Sequence, residues 1–284
     1  MNANYQQRID QAKTAIQEAD YILLGGGAGL SAAAGITFTG KRFTDYFGDF
    51  IEKYGFTDLY SSGFYPFETQ EDKWAYWARH IQLNRYDTGT TQLYLDLYDL
   101  VKEKQHFVIS TNVESQFEKA GFASDAVFEI QGNYGYLQCE KGCHDTLYDN
   151  EELVKKMVAQ TVDCKIPTSL VPNCPVCGGA MDVNLRINEY FVQDEQWQMS
   201  ERLYRSFLQT SENLNVVYME LGVGFNTPGI IRYPFERMTY HNERATLIRL
   251  NRDEPAGIAE NQHKTIAFTE DMSQVFRDIE RGNT

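Results

Sequence analysis

Long hydrophobic runs are missing from this 284-residue chain. The longest apolar stretches, such as 245–248, fall far below the ~18 residues that a membrane-spanning helix requires, so no membrane span is expected. The polar N-terminal stretch places Tyr5, Ile9, Ala12 and Ile16 at helical spacing and contains no continuous apolar segment of the kind a secretory signal carries. Positive charge is scarce: 26 Lys and Arg stand against 40 Asp and Glu, a formal net charge of -14. The average surface repels polyanions, which argues against nucleic acid and anionic membrane as partners. A small anionic cofactor stays open, because backbone amides at a helix N-terminus hold a pyrophosphate locally whatever the global charge.

Cysteine is also sparse and odd in number: Cys139, Cys143, Cys164, Cys174 and Cys177. Two tight pairs with one residue left over are not a secreted disulfide framework, and they suit metal chelation in a reducing, cytoplasmic compartment. With 42% hydrophobic and 23% charged residues the composition is that of a globular protein, which excludes disorder and collagen-like sequence. No internal repeat or low-complexity segment is present.

What the chain does contain is an alternation of short apolar strands and helical patterns. Strands are expected at 21–24, 107–110, 127–130, 216–219, 247–250 and 266–268, with helical spacing at Leu93, Leu97, Leu100 and Val101 and again at Phe276 and Ile279. This pattern predicts an α/β fold, a Rossmann-type doubly wound parallel sheet. The interval 136–185 breaks the rhythm, holds all five cysteines, and contains Pro167, Pro172 and Pro175, so it reads as an inserted module between two parts of the main domain, 1–135 and 186–284. The interval 43–85 is rich in aromatic residues, has no clear strand, and reads as a helical cap.

Four groups of residues are candidates for chemistry. After the first strand, Gly27, Ala28, Gly29, Ser31 and Ala32 open a helix with the G-x-G-x-x-G/A spacing of a dinucleotide turn, in which the glycines permit a tight bend and close approach of a pyrophosphate. The competing reading is a ligand-free glycine turn. Cys139-x3-Cys143 and Cys174-x2-Cys177 supply four thiolates on two knuckles, the closed tetrahedral arrangement of a structural zinc site. His144 is a candidate substitute ligand and Cys164 a spare. Thr111, Asn112 and Glu114 follow one strand and Gln131 follows the next, at the carboxyl edge where open α/β sheets bind ligands. Taken alone, Asn112 also suits a turn cap and Gln131 a satisfied polar side chain. Finally, Gly222, Val223, Gly224 and Asn226, with Asn251 and Arg252 after the next strand, offer close approach and hydrogen bonds to a ribose, or form ordinary strand-to-helix loops.

In order, Gly27 to Ile36, Thr111-Asn112-Val113-Glu114, Glu129-Ile130-Gln131-Gly132, the two cysteine pairs, Gly222-Val223-Gly224 and Leu250-Asn251 resemble the sirtuins over nearly the whole chain. The resemblance implies NAD as co-substrate and structural zinc. The chain departs from sirtuin deacylases at informative positions. Gln131 stands where those enzymes carry a catalytic His, the sequence after the second cysteine pair lacks their Phe-Gly-Glu strand, and Gly35-Ile36 is not followed by Asp-Phe-Arg.

An imidazole with a pKa near ~6.5 accepts a ribose hydroxyl proton, whereas a carboxamide does not, so the deacylation route loses its base. Breaking the nicotinamide bond builds oxocarbenium-like charge, for which positioned hydrogen bonds suffice. In these respects the pattern is similar to the macrodomain-linked class M sirtuins of microbes. That likeness implies mono-ADP-ribosylation of a lipoylated carrier related to the glycine cleavage H protein, a macrodomain hydrolase that reverses it, and a place in oxidative-stress responses. Asn112 is then expected to position the nicotinamide ribose, Gln131 to hold its hydroxyls, and Glu114 to steer the nucleophile. A weak deacylase, a non-catalytic NAD or ADP-ribose sensor and a zinc-ribbon nucleic-acid module are the alternatives; the last has few basic residues in the insert to support it.

Overall fold

Strands buried on both faces of a sheet are nearly continuous apolar runs, and Tyr21-Ile22-Leu23-Leu24 is such a run, buried from Ile22 onward. The computed structural model describes residues 4–281. Along the chain run α1 (Tyr5–Glu18), β1 (Tyr21–Gly26), α2 (Ala28–Ala33), α3 (Lys41–Tyr46), α4 (Gly48–Tyr54), α5 (Leu59–Ser62), α6 (Gln70–Ile81) and α7 (Gln92–Val101). These are followed by β2 (Gln105–Ser110), α8 (Gln116–Lys119), β3 (Val127–Glu129), β4 (Gly132–Cys139), β5 (Tyr148–Asp149), α9 (Glu151–Gln160) and β6 (Met181–Leu185). The remainder is α10 (Glu195–Ser211), β7 (Val216–Leu221), α11 (Arg232–His241), β8 (Thr246–Leu250), β9 (Thr265–Phe268) and α12 (Met272–Glu280).

The chain folds into two compact units. The first comprises described residues 4–34, 90–131 and 196–281, and the second 35–89 and 132–195. The first and last three positions of the chain, which belong to the expected main domain, lie outside the described residues.

In the first unit, the described strands form a six-stranded sheet in the order β3-β2-β1-β7-β8-β9, every pairing parallel. The expected doubly wound α/β sheet is therefore present, and each of its strands coincides with one read from the sequence. One face packs on Ile9, Ala12 and Ile16 of α1, Leu93, Tyr94 and Leu97 of α7, and Val275, Phe276 and Ile279 of α12. Phe235 of α11, with Leu203, Tyr204 and Phe207 of α10, covers the other.

The register determines where function can sit. Gly26 lies level with Ser110 and Leu221, Ser110 with Glu129, and Leu221 with Leu250. The strands therefore end flush, and Gly27, Thr111, Ile130, Gly222 and Asn251 each begin a loop on the same edge. The strand order reverses between β1 and β7, which is the switch point where such sheets bind ligands.

The second unit joins the aromatic segment to the cysteine-bearing interval. Rings of Phe47, Phe50, Tyr54, Phe56, Tyr65, Phe67 and Tyr76 stack and tilt against one another at centroid separations of 5.0–6.3 Å. Its described strands form a three-stranded antiparallel sheet, β5-β4-β6, and α9 packs on α6. These strands carry no alternating apolar pattern in the sequence, because their inward positions include polar residues. Gln138 and Asn184 are buried and bond to each other at 2.8 Å.

Candidate active site and metal centre

The glycine turn is built by contact with the loop after β7. Gly27 N–H donates to the Leu221 carbonyl at 3.0 Å and Gly29 N–H to the Gly222 carbonyl at 2.8 Å. A Cβ on Gly27 would lie 2.8 Å from the Gly222 oxygen and the Val223 Cα, so only glycine fits. Ala28 begins α2 and is exposed, whereas Ser31, on the next turn, is buried. Val223 is buried, and Gly224 and Asn226 are exposed beyond it.

The end of β2 is tied to this turn. Thr111 donates from both its amide and its hydroxyl to the Gly26 carbonyl, at 3.0 and 3.2 Å. Asn112, 8% exposed, donates from Nδ2 to the Gly27 carbonyl at 3.0 Å and to the Tyr94 hydroxyl at 3.3 Å. That geometry commits Nδ2 to the protein and leaves Oδ1 as the amide's other pole. Glu114 is also buried, and both of its oxygens are engaged: Oε1 accepts from the Ser31 hydroxyl and Oε2 from the Val113 amide. The hydroxyls of Tyr94 and Ser31 lie 3.3 Å apart. Tyr94, on α7, is a member of this group that no sequence motif marks. Its place in a Leu93-Leu97-Val101 stripe marks it as core, and nothing in that pattern shows that its hydroxyl meets Asn112.

Gln131 follows β3, the neighbour of β2. Its Oε1 is buried and accepts no hydrogen bond. A buried acceptor without a partner is costly, by about 1–3 kcal/mol, unless a ligand supplies the donor. A ribose hydroxyl is such a donor.

On the far side of the switch point, Asn251 is largely occupied by its own loop. Its Oδ1 accepts from the amides of Asp253 and Glu254 at 3.1 and 3.0 Å, and Nδ2 donates to the Val223 carbonyl at 2.9 Å. Asn251 thus links the two loops expected to face a ribose. Arg252 extends into solvent and pairs with Asp253 at 3.2 Å, with side-chain exposures of 84% and 75%. Beneath these loops lies a cluster that the sequence did not disclose. Glu220, Arg249, Arg232 and Glu236 are buried together, with ion pairs of 2.8–3.3 Å. Burial pushes the Glu220 carboxyl up against the lowering effect of Arg249 and Arg232. The two arginines also donate to the carbonyls of Glu254 and Ala256, which pins the 254–256 segment to the sheet.

The candidate metal site lies in the second unit. The sulfurs of Cys139, Cys143, Cys174 and Cys177 all lie within 4.8 Å of one another, with Cys139–Cys177 and Cys143–Cys174 at 3.7 Å. Four sulfurs at Zn–S distances of ~2.3 Å in a tetrahedron stand about 3.8 Å apart, so the residues fit zinc. Backbone N–H groups of Cys177 and Val176 lower the Cys174 thiol to about 6, against the effect of burial, which favours the thiolate a metal needs. The knuckle closes through Cys174 N–H to the Gly179 carbonyl and Gly178 N–H to the Cys174 carbonyl, at 2.7 and 2.8 Å. His144 Nδ1 stands 3.1 Å from Cys143 Sγ, beside the four-sulfur group, while its Nε2 meets the Tyr148 hydroxyl at 2.8 Å. Cys164 is apart from the centre and buried, its thiol raised to about 11 by burial and by Asp49.

Comparison with known proteins places the chain. It is 39% identical over 279 residues to a protein ADP-ribosyltransferase of Staphylococcus aureus, covering 98% of this chain and 89% of the relative. The chain belongs to that family. A second relative, a probable bifunctional ADP-ribose hydrolase/ADP-ribosyltransferase of Fusarium oxysporum f. sp. cubense, is 30% identical over 86% of this chain, which spans only 42% of that protein. No family model matches the sequence. Among solved structures, Sir2Tm bound to a propionylated peptide superposes with a TM-score of 0.61 at 17% identity, covering 97% of this chain and 98% of that one. An ADP-ribose complex of a Sir2 homologue gives 0.59 at 14% identity over 96% and 97%. The fold of this family member is therefore the sirtuin fold, a Rossmann-type sheet accompanied by a four-cysteine module suited to zinc. No helix among the described residues is long and apolar enough to cross a membrane.

Proposed function

We propose that this chain is an NAD-dependent protein ADP-ribosyltransferase. Its glycine turn receives the pyrophosphate of NAD, the linked loops at Gly222 and Asn251 face the adenosine ribose, and Asn112 and Gln131 face the nicotinamide ribose. The bond between nicotinamide and ribose breaks with its electron pair on nicotinamide, the acceptor's nucleophile bonds to the ribose carbon, and the nucleophile's proton passes to solvent. Asn112 and Gln131 contribute position and hydrogen bonds rather than a proton.

One observation carries the reading: a buried, unpartnered carboxamide oxygen on Gln131 at the ligand-binding edge, in a chain that shares 39% identity with a protein ADP-ribosyltransferase. An amide there orients a hydroxyl and cannot deprotonate it, which suits glycosyl transfer better than deacylation. The acceptor we propose is a lipoylated carrier related to the glycine cleavage H protein, as in the class M sirtuins, with a macrodomain hydrolase that removes the modification. The fungal relative's name, which joins an ADP-ribose hydrolase to a transferase, supports that pairing.

The test is incubation of the purified protein with adenylate-labelled NAD, with and without native cell extract. Label on a discrete protein, with stoichiometric nicotinamide and loss in folded Asn112→Ala and Gln131→Ala, is expected. Unchanged transfer in both variants overturns the residue assignment. Nicotinamide release that requires an acyl-lysine peptide overturns the activity.

A further inference from the structure

Donors and acceptors between Asn112 and Glu114 can be assigned one way only. Glu114, as a carboxylate, accepts from the Ser31 hydroxyl. That spends the single hydrogen of Ser31, so the Tyr94 hydroxyl, 3.3 Å away, donates to the Ser31 oxygen. Its own hydrogen being spent, Tyr94 accepts from Asn112 Nδ2 at 3.3 Å. Tyr94 is wholly buried, with its ring edge-on to Phe117 at 4.9 Å, and burial together with Glu114 raises its hydroxyl well above the ordinary tyrosine range, so it remains a donor. The second Nδ2 hydrogen goes to the Gly27 carbonyl at 3.0 Å. Both donors of the amide are thereby used, and reversal of the Asn112 amide would set its oxygen against the Gly27 oxygen.

We infer that Tyr94 is a positioning residue of this site. The directional chain Asn112–Tyr94–Ser31–Glu114 locks the Asn112 amide with its oxygen available to the sugar hydroxyl of NAD, and Glu114 acts as the chain's anionic anchor. The inference rests on the transferase reading above and assigns Glu114 a role through Ser31 rather than at the nucleophile. Dipoles aligned head to tail and ending on a charge reinforce one another, so a break at Tyr94 or at Ser31 frees the same amide.

Tyr94→Phe removes one oxygen and keeps the ring packing. Expected results are a thermal midpoint close to wild type, about a tenfold fall in kcat for nicotinamide release, and KM for NAD within about threefold. Tyr94→Phe combined with Ser31→Ala should be no slower than the slower single variant, because both break one chain, whereas independent roles would multiply. A second readout needs no turnover. In ligand-free protein, the Asn112 side-chain amide protons, observed by nuclear magnetic resonance, should exchange at least about tenfold faster in Tyr94→Phe. Wild-type turnover with Tyr94→Phe within twofold of it in kcat, or multiplicative effects in the double variant, overturns the inference alone. Wild-type protein that binds NAD and releases no nicotinamide overturns the transferase reading, and the inference with it.

Discussion

Gly29 and Gly222 meet backbone to backbone. The Gly29 amide donates to the Gly222 carbonyl at 2.8 Å, and a Cβ on Gly222 would stand 2.3 Å from the Leu30 nitrogen and 2.4 Å from the Gly29 carbonyl carbon. Gly222 also has φ +61°, a left-handed conformation that side chains resist. These two positions lock the β1 and β7 loops together at the switch point of the sheet. Gly222→Ala should cost about 2–3 kcal/mol in urea denaturation and weaken NAD binding at least about tenfold by calorimetry. Gly224, two residues on, has open space around it, and Gly224→Ala should change stability by less than about 0.5 kcal/mol. Equal effects at both positions would remove the argument that the backbone contact shapes the site.

Glu220 and Arg249 are register partners on β7 and β8, both fully buried, 2.8 Å apart. Removing one member of such a pair leaves an uncompensated charge in the core. Arg249→Met takes from Glu236 its arginine, leaves Glu220 with Arg232 alone, and removes one of the donors that hold the Ala256 carbonyl, so a loss of about 3–5 kcal/mol is expected in chemical denaturation. Glu220→Leu combined with Arg249→Met should recover part of that loss, since one charge of each sign is removed and the remaining buried pair, Arg232 and Glu236, is again balanced. A single-variant loss under about 1 kcal/mol would mean that the cluster contributes neither fold nor loop order.

The main sheet and the four-cysteine cluster are legible in the sequence because their signals are local. An apolar run of four residues marks β1, and four cysteines in two tight pairs mark a chelate wherever the chain takes them. The glycine spacing is legible for the same reason, although the partner that makes it necessary, Gly222, lies nearly two hundred residues away. What is not legible is long-range. Tyr94 reads as one more core residue, and its hydroxyl gains meaning only when β2 delivers Asn112 beside it. Glu220 and Arg249 sit in apolar strands where their charges suggest nothing until the register pairs them. The antiparallel strands β4 and β6 escape notice because buried Gln138 and Asn184 satisfy each other, which a hydropathy pattern scores as exposure.

Four sulfurs at zinc spacing predict that the purified protein binds about one zinc per chain and depends on it. Cys174→Ser should lose the metal and lower the thermal midpoint by at least about 10 °C, and a chelator should do the same to the unaltered protein. His144→Ala should retain the metal, because the four thiols form the cluster without it. Elemental analysis of the three proteins decides the ligand set, and loss of zinc from His144→Ala would place the histidine in it.

His80 is the residue through which pH should act on the second unit. It is 2% exposed, its Nδ1 meets the Tyr76 hydroxyl at 3.1 Å, and its Nε2 meets the Tyr134 hydroxyl at 2.8 Å. Burial, with a smaller contribution from Arg42, lowers it to about 3. The folded protein therefore keeps His80 neutral, while the unfolded chain takes up a proton near its ordinary value of about 6.5. The stability associated with neutral His80 is fully present above pH 6.5 or so and declines as pH falls toward about 3, by on the order of 2 kcal/mol between pH 6.5 and 5. Urea midpoints of the wild-type protein should fall across that interval. His80→Gln, which cannot take up a proton in either state, should begin from a lower midpoint at pH 7 and lose this part of the slope. An identical pH dependence in the two proteins would show that His80 titrates alike folded and unfolded, and would assign the acid lability to the carboxylates instead.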